Sequence, residues 1–187
     1  MFKTSDGQVI SAGRSWSQDG VTHPRNWHIW SAEYKASLGI TEIVEGSPPD
    51  SRFYKWSQNK DLSYNQTEKS LSDVPAVDRD GNAVNDADGN QIIYDGLKTI
   101  WINKTKTTAN TLLAPTDWQV IAKAERDRAI DSGVATYRAA VISACTTIEA
   151  AITGAANMAA FKVLFDNPVD GDGRPTGSAP IQDWPDV

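Results

Sequence analysis

The chain has 187 residues, of which 40% are hydrophobic and 22% are charged, and its formal net charge is −6. Because nucleic-acid binding depends on Lys and Arg that neutralise phosphates, this acidic balance argues against a nucleic-acid partner. The sequence has no apolar run long enough to cross a bilayer, and its start lacks the apolar segment of a signal peptide, so we expect neither membrane insertion nor signal-directed export.

Residues 1–58 predict a small β-rich module that contains one short helix. A Ser-Asp-Gly turn at 5–7 lies between β-favouring segments, which is typical of a β-hairpin. A helix is predicted over 31–38 and is ended by Gly39 in the left-handed conformation. The two segments on either side of the following Pro-rich loop are predicted to pair as strands, over residues 40–45 and 52–56.

Tryptophan is concentrated in this module. The chain has seven Trp, and Trp27 and Trp30 are among those in its first third. Flat apolar rings can stack on sugar rings, but a small module with few aliphatic residues also uses Trp to fill its core. Core packing is the first interpretation, and glycan contact through Trp27 and Trp30 is the alternative.

Residues 59–96 predict a linker followed by a short β-meander. Two octads, DRDGNAVN from Asp78 and DADGNQII from Asp86, each carry an Asp-Gly-Asn tight turn between β-favouring residues. Two such turns in succession predict a three-stranded meander over 74–94.

The same octads place carboxylates at alternate positions, which raises calcium as an alternative. The candidate ligands are Asp78, Asp80, Asp86 and Asp88. An EF-hand loop needs Gly at its sixth position and Glu at its twelfth, and neither octad meets either requirement. We therefore predict hairpin turns and no required cofactor, with calcium as the alternative.

Residues 97–166 predict a helical region. Helices are predicted over 97–113, from Thr116 or Asp117, over 133–153 with Asp131 and Ser132 as its cap, and over 155–165. The first helix is predicted to bury a stripe of Leu97, Ile100, Trp101, Thr108 and Leu112. The long helix carries apolar residues at spacings of three and four, as in a heptad seam: Val134, Tyr137, Val141, Cys145, Ile148 and Ile152.

The remaining residues, 167–187, are rich in Pro and Gly and predict an extended tail that is fixed only if Trp184 docks. The fold class is therefore predicted to be α+β, with a small β-rich N-terminal module, a short β-meander and then a C-terminal helical region. The predicted bounds are 1–58, 59–96, 97–166 and 167–187.

Nothing in the sequence selects a catalytic site. Cys145 is the only cysteine, and the two histidines, His23 and His28, are poorly spaced for a shared metal. The nucleophile-elbow, zinc-protease, Walker and dinucleotide-binding motifs are absent from the sequence. We therefore predict that the chain is not an enzyme.

Two parts of the chain resemble bacteriophage proteins. The run HPRNWHIWSAEYKASLGITEIVEGSPPDSRFYKW, residues 23–56, resembles an N-terminal module of tail-fibre-region proteins, although Trp30 stands where a smaller aliphatic residue is usual. The second half is similar to the tail-fibre assembly chaperone-like families. Its matching elements are Leu112-Leu113 with Thr116-Asp117-Trp118, Tyr137-Arg138 with Val141, and Trp184-Pro185.

The resemblance implies a protein that folds or caps the tip of a trimeric tail fibre, in the virion tail or in the host cytoplasm during assembly. Its partner would be the fibre polypeptide, and the chain itself would be a homotrimer or part of a hetero-oligomer, with helices 97–113 and 133–153 at a threefold seam. The predicted partner contacts are Trp101, Trp118, Tyr137, Arg138 and Trp184. The alternative is a receptor-binding module that recognises a host-surface glycan at the fibre tip.

Overall fold

The computed structural model describes residues 1–186 and confirms the α+β class, because small antiparallel sheets precede a long helical region. The chain divides into two compact units; unit 1 spans Met1–Glu68 and unit 2 begins at Lys69. The strands are β1 (Phe2–Lys3), β2 (Val9–Ile10), β3 (Trp16–Gln18), β4 (Val21–His23), β5 (Thr41–Glu42), β6 (Tyr54–Gln58), β7 (Tyr64–Glu68), β8 (Val74–Pro75) and β9 (Ile93–Tyr94). The α-helices are α1 (Ala32–Ser37), α2 (Leu97–Leu113), α3 (Asp117–Arg126), α4 (Ser132–Gly154) and α5 (Met158–Val163).

The core of unit 1 is built from aromatic and aliphatic side chains of its short elements, namely Ile10, Trp16, Trp27 and Ile40. The predicted N-terminal hairpin is confirmed, with Phe2 paired to Ile10 across the turn. Helix α1 begins where the side chain of Ser31 accepts a hydrogen bond from the backbone N–H of Tyr34 at 3.2 Å. It is followed by Gly39 at φ +68°, as predicted, and a Cβ there would lie 2.7 Å from the Cβ of Ser5.

The predicted pairing of residues 40–45 with 52–56 is wrong. Strand β5 instead pairs antiparallel with β1, and β6 pairs with β7. The turn between β6 and β7 is short and is closed by a 2.8 Å hydrogen bond from the N–H of Asn59 to the carbonyl of Ser63. Part of the predicted linker therefore becomes β7, and unit 1 extends to Glu68.

Residues 74–94 form a closed arrangement of three short β-arms, which we call the β-triangle. The N–H of Ala76 donates to the carbonyl of Ile92 at 2.8 Å, that of Val84 to Ala76 at 3.0 Å, and that of Ile92 to Val84 at 2.9 Å. The two predicted Asp-Gly-Asn turns are confirmed, with Gly81 and Gly89 both at φ +86°. Successive arms pair as in the predicted three-stranded meander, but the first and third arms also pair with each other through β8 and β9, which was not predicted.

The loop before the β-triangle caps the N-terminus of α2. The N–H of Gly96 donates to Oδ1 of Asp73 at 2.7 Å, and the N–H of Leu97 donates to the carbonyl of Ser70 at 2.9 Å. These bonds satisfy donors that a helix start otherwise leaves unpaired. A Cβ on Gly96 would lie 2.3 Å from the backbone carbonyl carbon of Ser72, so only glycine fits there.

Helix α2 has the predicted bounds and packs antiparallel against α4. Its first turn meets the end of α4, where Lys98 Nζ donates to the carbonyl of Thr153 at 2.8 Å, and its last residue meets Arg138 near the start of α4. The buried residues of α2 are Leu97, Thr105 and Ala109. The predicted stripe is largely confirmed, since Leu97 is buried and Ile100, Trp101 and Leu112 are half-buried, but Thr108 is exposed and the small residues Thr105 and Ala109 are buried instead.

Helix α4 begins at the predicted cap, where the carboxylate of Asp131 accepts from the N–H groups of Gly133 and Val134. Its predicted seam is confirmed as the inward side: Val141, Ile148 and Ile152 are buried, and Val134, Tyr137 and Cys145 are half-buried. Within residues 1–186, no helix has both the length and the apolar character to cross a membrane.

The predicted extended tail is more ordered than expected. Residues 169–175 form a hairpin turn of the same kind as those of the β-triangle, with Gly173 at φ +79° and a bridge between Val169 and Pro175. A 3-10 helix over Pro180–Gln182 then packs on the helical region, where the N–H of Ile181 donates to the carbonyl of Leu164 at 3.0 Å.

We predict that Gly96→Ala destabilises unit 2, because the added methyl group must displace the backbone of the loop that caps α2. The expected loss is about 1–3 kcal/mol in the free energy of unfolding, measured by chemical denaturation. Gly154→Ala is the matched control, since a Cβ there meets no atom within 4 Å and the residue ends a helix. Equal stability of the two variants would contradict the role of Gly96.

We also predict an acid-sensitive contribution from Asp73. The hydrogen bond from the Gly96 N–H, followed by that from Thr99, lowers the pKa of Asp73. A lowered folded pKa means that this carboxylate stabilises the fold above its unfolded pKa of about 3.9, and that the contribution is lost as the pH falls. Denaturation across this acidic range should show a smaller pH dependence for Asp73→Asn than for wild type, whereas the neighbouring exposed Asp95→Asn should follow wild type.

Candidate partner-binding site

Arg138 joins two sequence elements that are distant in the chain. Its Nη1 donates to the carbonyl of Leu113 at 2.9 Å, to the hydroxyl of Thr116 at 2.7 Å and to Oδ1 of Asp117 at 2.8 Å. Only 16% of the Arg138 side chain is exposed, and charge-assisted bonds of this kind are among the stronger ones in proteins. We call these four residues the Arg138 junction; it ties α4 to the end of α2 and the start of α3.

The turn between α2 and α3 supplies the acceptors of this junction. A 3-10 turn over Ala114–Thr116 follows α2, and Pro115 occupies its first turn, where a missing N–H costs no bond. Thr116 precedes α3, but its hydroxyl donates to the carbonyl of Leu113 at 2.9 Å and makes no cap bond. Thr116 therefore serves the junction, and its predicted role as a helix cap is wrong.

Helix α3 leaves its apolar face uncovered. Every residue of α3 is exposed or half-buried, and Trp118 and Ile121, one turn apart, are 53% and 54% exposed. The guanidinium carbon of Arg128 lies 5.4 Å from the centroid of the Trp118 ring. An isolated helix of this length is marginal in water. The position of α3 therefore depends on the Arg138 junction and on the bond from the N–H of Asp131 to Gln119 Oε1, at 2.9 Å.

An apolar groove of about 530 Å³ opens beside the junction, between the end of α2 and the start of α4. Its lining residues are Thr111, Leu112, Pro115, Thr116, Asp131, Gly133, Val134 and Tyr137. The carboxylate of Asp131 already caps α4. The rest of the lining is largely apolar, so the groove suits an apolar side chain of a bound polypeptide.

The five predicted partner contacts fall into two groups. Arg138 forms the junction, Tyr137 lines the groove and Trp118 follows Asp117 on α3, whereas Trp101 and Trp184 pack elsewhere in unit 2. The centroid of the Trp101 ring lies 4.7 Å from that of the Phe165 ring, and Lys104 Nζ lies 4.1 Å from the Trp101 centroid. Arg138 was also predicted to contact a partner, and in the structure its Nη1 is bound by acceptors of its own chain.

Trp184 and Pro185 lie beside α4. They line a shallow groove of about 380 Å³ together with Ala140, Ala144 and Ile148. The Trp-Pro element thus docks within the chain, which meets the condition under which the tail was expected to be fixed.

The predicted glycan contact at Trp27 is corrected. Its side chain is fully buried, its indole N–H donates to the carbonyl of Arg14 at 2.7 Å, and its ring packs against Phe2 and Trp16. Trp30 is half-buried against the same core and lies 5.0 Å from the ring of Tyr34. Trp27 therefore has no free ring face for stacking on a sugar.

The calcium candidates act as turn residues. Oδ1 of Asp78 accepts from the N–H groups of Asp80 and Asn82, each at 2.9 Å, and Asp86 repeats the pattern in the second turn. The bond from the N–H of Asn82 is the main cause that lowers the pKa of Asp78. Asp80 and Asp88 lie exposed at the turn tips. Within residues 1–186, no group of three or more His, Cys, Asp or Glu side chains is placed to hold a metal.

The single thiol is half-buried on α4 and points to a carboxylate. Cys145 Sγ lies 3.3 Å from Oε1 of Glu149. Burial, followed by this hydrogen bond, raises the pKa of the Cys145 thiol. The neutral thiol is the poorer nucleophile, so this residue suits helix packing.

Sequence reasoning missed two parts of the site. Gln119 and Arg128 were not predicted as site residues, yet Gln119 binds the N–H of Asp131 before α4 and Arg128 lies against the exposed Trp118 ring. The helical spacing of Trp118 and Ile121 could have indicated a common face, but their exposure depends on which elements pack nearby. Comparison with protein-family models, with curated proteins and with solved structures gives no match to this chain.

We predict that Arg138→Ala destabilises unit 2 by about 2 kcal/mol, because half-buried acceptors lose a charged donor. Arg138→Lys should recover part of this loss, since lysine keeps the positive charge but its shorter side chain places the ammonium less well for these acceptors. Chemical denaturation measures both variants, with Arg126→Ala on the exposed surface of α3 as the control. If Arg138→Ala and Arg126→Ala proved equally stable, the junction would not hold the fold.

Proposed function

We propose that the chain is a non-enzymatic phage tail-fibre protein that assembles with, chaperones or caps the fibre, in the virion tail or in the host cytoplasm during assembly. One observation carries the proposal. The two sequence elements that resemble tail-fibre assembly proteins, around Trp118 and around Arg138, meet at one junction. That junction holds an exposed apolar helix face beside an apolar groove.

The exposed face of α3 has the composition of a binding surface. Trp and Arg are the residue types most enriched among the side chains that dominate protein–protein binding. Trp118 and Ile121 offer apolar area, and Arg128 lies against the Trp118 ring. Contiguous apolar surface held on a rigid frame is more typical of an interaction site than of bare surface.

The site would bind an unassembled fibre polypeptide in two ways. An amphipathic helix presents apolar side chains to a groove or helix of its partner, and the neighbouring groove accepts an apolar side chain in return. Both contacts cover apolar segments of the fibre chain before its own trimer buries them. This is the chemistry by which an assembly chaperone prevents aggregation.

The proposed homotrimer or hetero-oligomer is supported by α4. Its charged residues, Arg138 and Glu149, are half-buried, so its exposed positions carry uncharged and mostly small side chains. Ile142 on this side is 55% exposed. A surface helix of an isolated chain usually carries charges on its outer face. The alternative of a glycan-binding module has no comparable support, because Trp27 is buried and Trp30 is packed.

We predict that Trp118→Ala lowers the affinity for the fibre polypeptide encoded next to this chain by at least about tenfold. The measurement is co-expression and co-purification, followed by titration of the separated proteins by calorimetry. Trp56→Ala is the matched control, since Trp56 is also exposed, at 42%, but lies in unit 1. The proposal fails if the wild-type chain neither binds the fibre polypeptide nor increases the yield of soluble fibre trimer.

A further inference from the structure

The β-triangle has an internal threefold arrangement. Ala76, Val84 and Ile92 are related by the octad spacing, and each donates its N–H to the carbonyl of another member in a closed ring. The three sides repeat as well: Val77 pairs with Ala83, Asn85 with Gln91, and Ile93 with Pro75. Moving eight residues along the chain therefore carries one side of the triangle onto the next.

One face of the β-triangle is apolar throughout its arms. Because side chains alternate between the two faces of a strand, Val74, Ala76, Val84, Ile92 and Tyr94 share a face, which we call the axial face. Around the buried Ala76, the other four are 43%, 37%, 37% and 65% exposed, in the same order. The opposite face carries Pro75, Val77, Ala83 and Ile93 together with the polar Asn85 and Gln91, whereas every arm residue of the axial face is apolar. The axial face is thus the more continuous apolar surface.

The three corners of the β-triangle are acidic. The first turn carries Asp78 and Asp80, the second carries Asp86 and Asp88, and Asp73 and Asp95 flank the arms where the chain enters and leaves. Arg79 is the only basic residue in this stretch of sequence. Backbone hydrogen bonds lower the pKa values of Asp73, Asp78 and Asp86, and Asp73 also caps the N-terminus of α2.

From this arrangement we propose that the axial face of the β-triangle docks on the threefold end of a trimeric protein. The partner surface would have an apolar centre and one or more Lys or Arg at each of three symmetry-related positions. An apolar centre inside a charged rim of opposite sign is the arrangement that favours specific and rapid association. Identification of the partner as the fibre trimer rests on the function proposed above.

The symmetry also sets the stoichiometry. One chain already supplies three arms and three acidic corners, so a single copy can engage all three subunits at the end of the trimer. The arms are only approximate copies, since Ala76, Val84 and Ile92 differ in size. A complex of one chain with three partner chains is therefore expected at this surface.

The test co-expresses the full chain with the adjacent fibre polypeptide and weighs the complex by native mass spectrometry. The expected composition is one copy of this chain for three of the fibre chain. The double variant Val84→Asn with Ile92→Asn should lower the affinity at least tenfold, and Asp80→Asn with Asp88→Asn should weaken its dependence on salt concentration. Thermal unfolding of each free variant, matched to wild type, shows that the fold persists.

Ile29→Asn is the control for the apolar change, because Ile29 is 72% exposed and lies in unit 1. A complex that contains equal numbers of both chains, or one that the axial-face variant forms with wild-type affinity, overturns the inference. If Trp118→Ala then still weakens binding, the proposed function stands without it. Failure of the wild-type chain to bind the fibre polypeptide at all overturns both.

Discussion

The antiparallel packing of α2 against α4 is the interaction on which the rest of unit 2 depends. Small residues of α2, Thr105 and Ala109, let the branched side chains of α4 come close, and the Thr105 hydroxyl is satisfied within its own helix by the carbonyl of Trp101 at 2.9 Å. Everything else attaches to this pair. The capping loop and the β-triangle join it at the start of α2, and the Arg138 junction with α3 joins it at the other end. A change that separated the two helices would release all of these attachments together.

The most recognisable residues of the sequence work inside the chain. Thr116, Asp117 and Arg138 bind one another, and Trp184 lies against α4. Motif residues that are distant in the sequence can thus form an internal contact. The candidate for binding a partner is then the neighbouring residue that this contact holds in position. In this chain that residue is Trp118, which stands within the motif yet contributes no side-chain hydrogen bond to the junction. Loss of Arg138 would therefore affect binding indirectly, through the position of α3.

Local rules predicted the parts of the fold that local interactions determine. The bounds of α2, the Asp131 cap, the end of α1 before Gly39 and the two Asp-Gly-Asn turns all follow from a few neighbouring residues. The third turn, with Asp170, Asp172 and Gly173, has the same pattern and could have been found by comparing it with the octads. The partner of β5 could not, because β5 pairs with β1 from the start of the chain, and no residue near β5 selects that strand.

The candidate site was harder to predict from the sequence, because the burial of a side chain depends on every element that packs around it. Trp27 and Trp118 are equally apolar, but one is enclosed by Phe2 and Trp16 and the other has no cover in its helix. No spacing rule separates these two outcomes. The same holds for α2, where the predicted stripe was correct at Leu97 but did not include Thr105 and Ala109, the small residues that are buried.

In two segments of unit 2, the hydrogen bonds that fix the backbone are distinct from the apolar side chains that form the surface. Helix α3 is fixed by the polar bonds of the Arg138 junction, and the β-triangle is fixed by its closed ring of backbone hydrogen bonds. In both segments, most of the apolar side chains are not needed to fix the backbone and remain exposed at the surface. Ordering these segments would otherwise cost conformational entropy when a partner binds, and rigid surfaces avoid part of that cost. Polar bonding that leaves apolar area exposed is therefore the physical basis for proposing that this unit acts by binding.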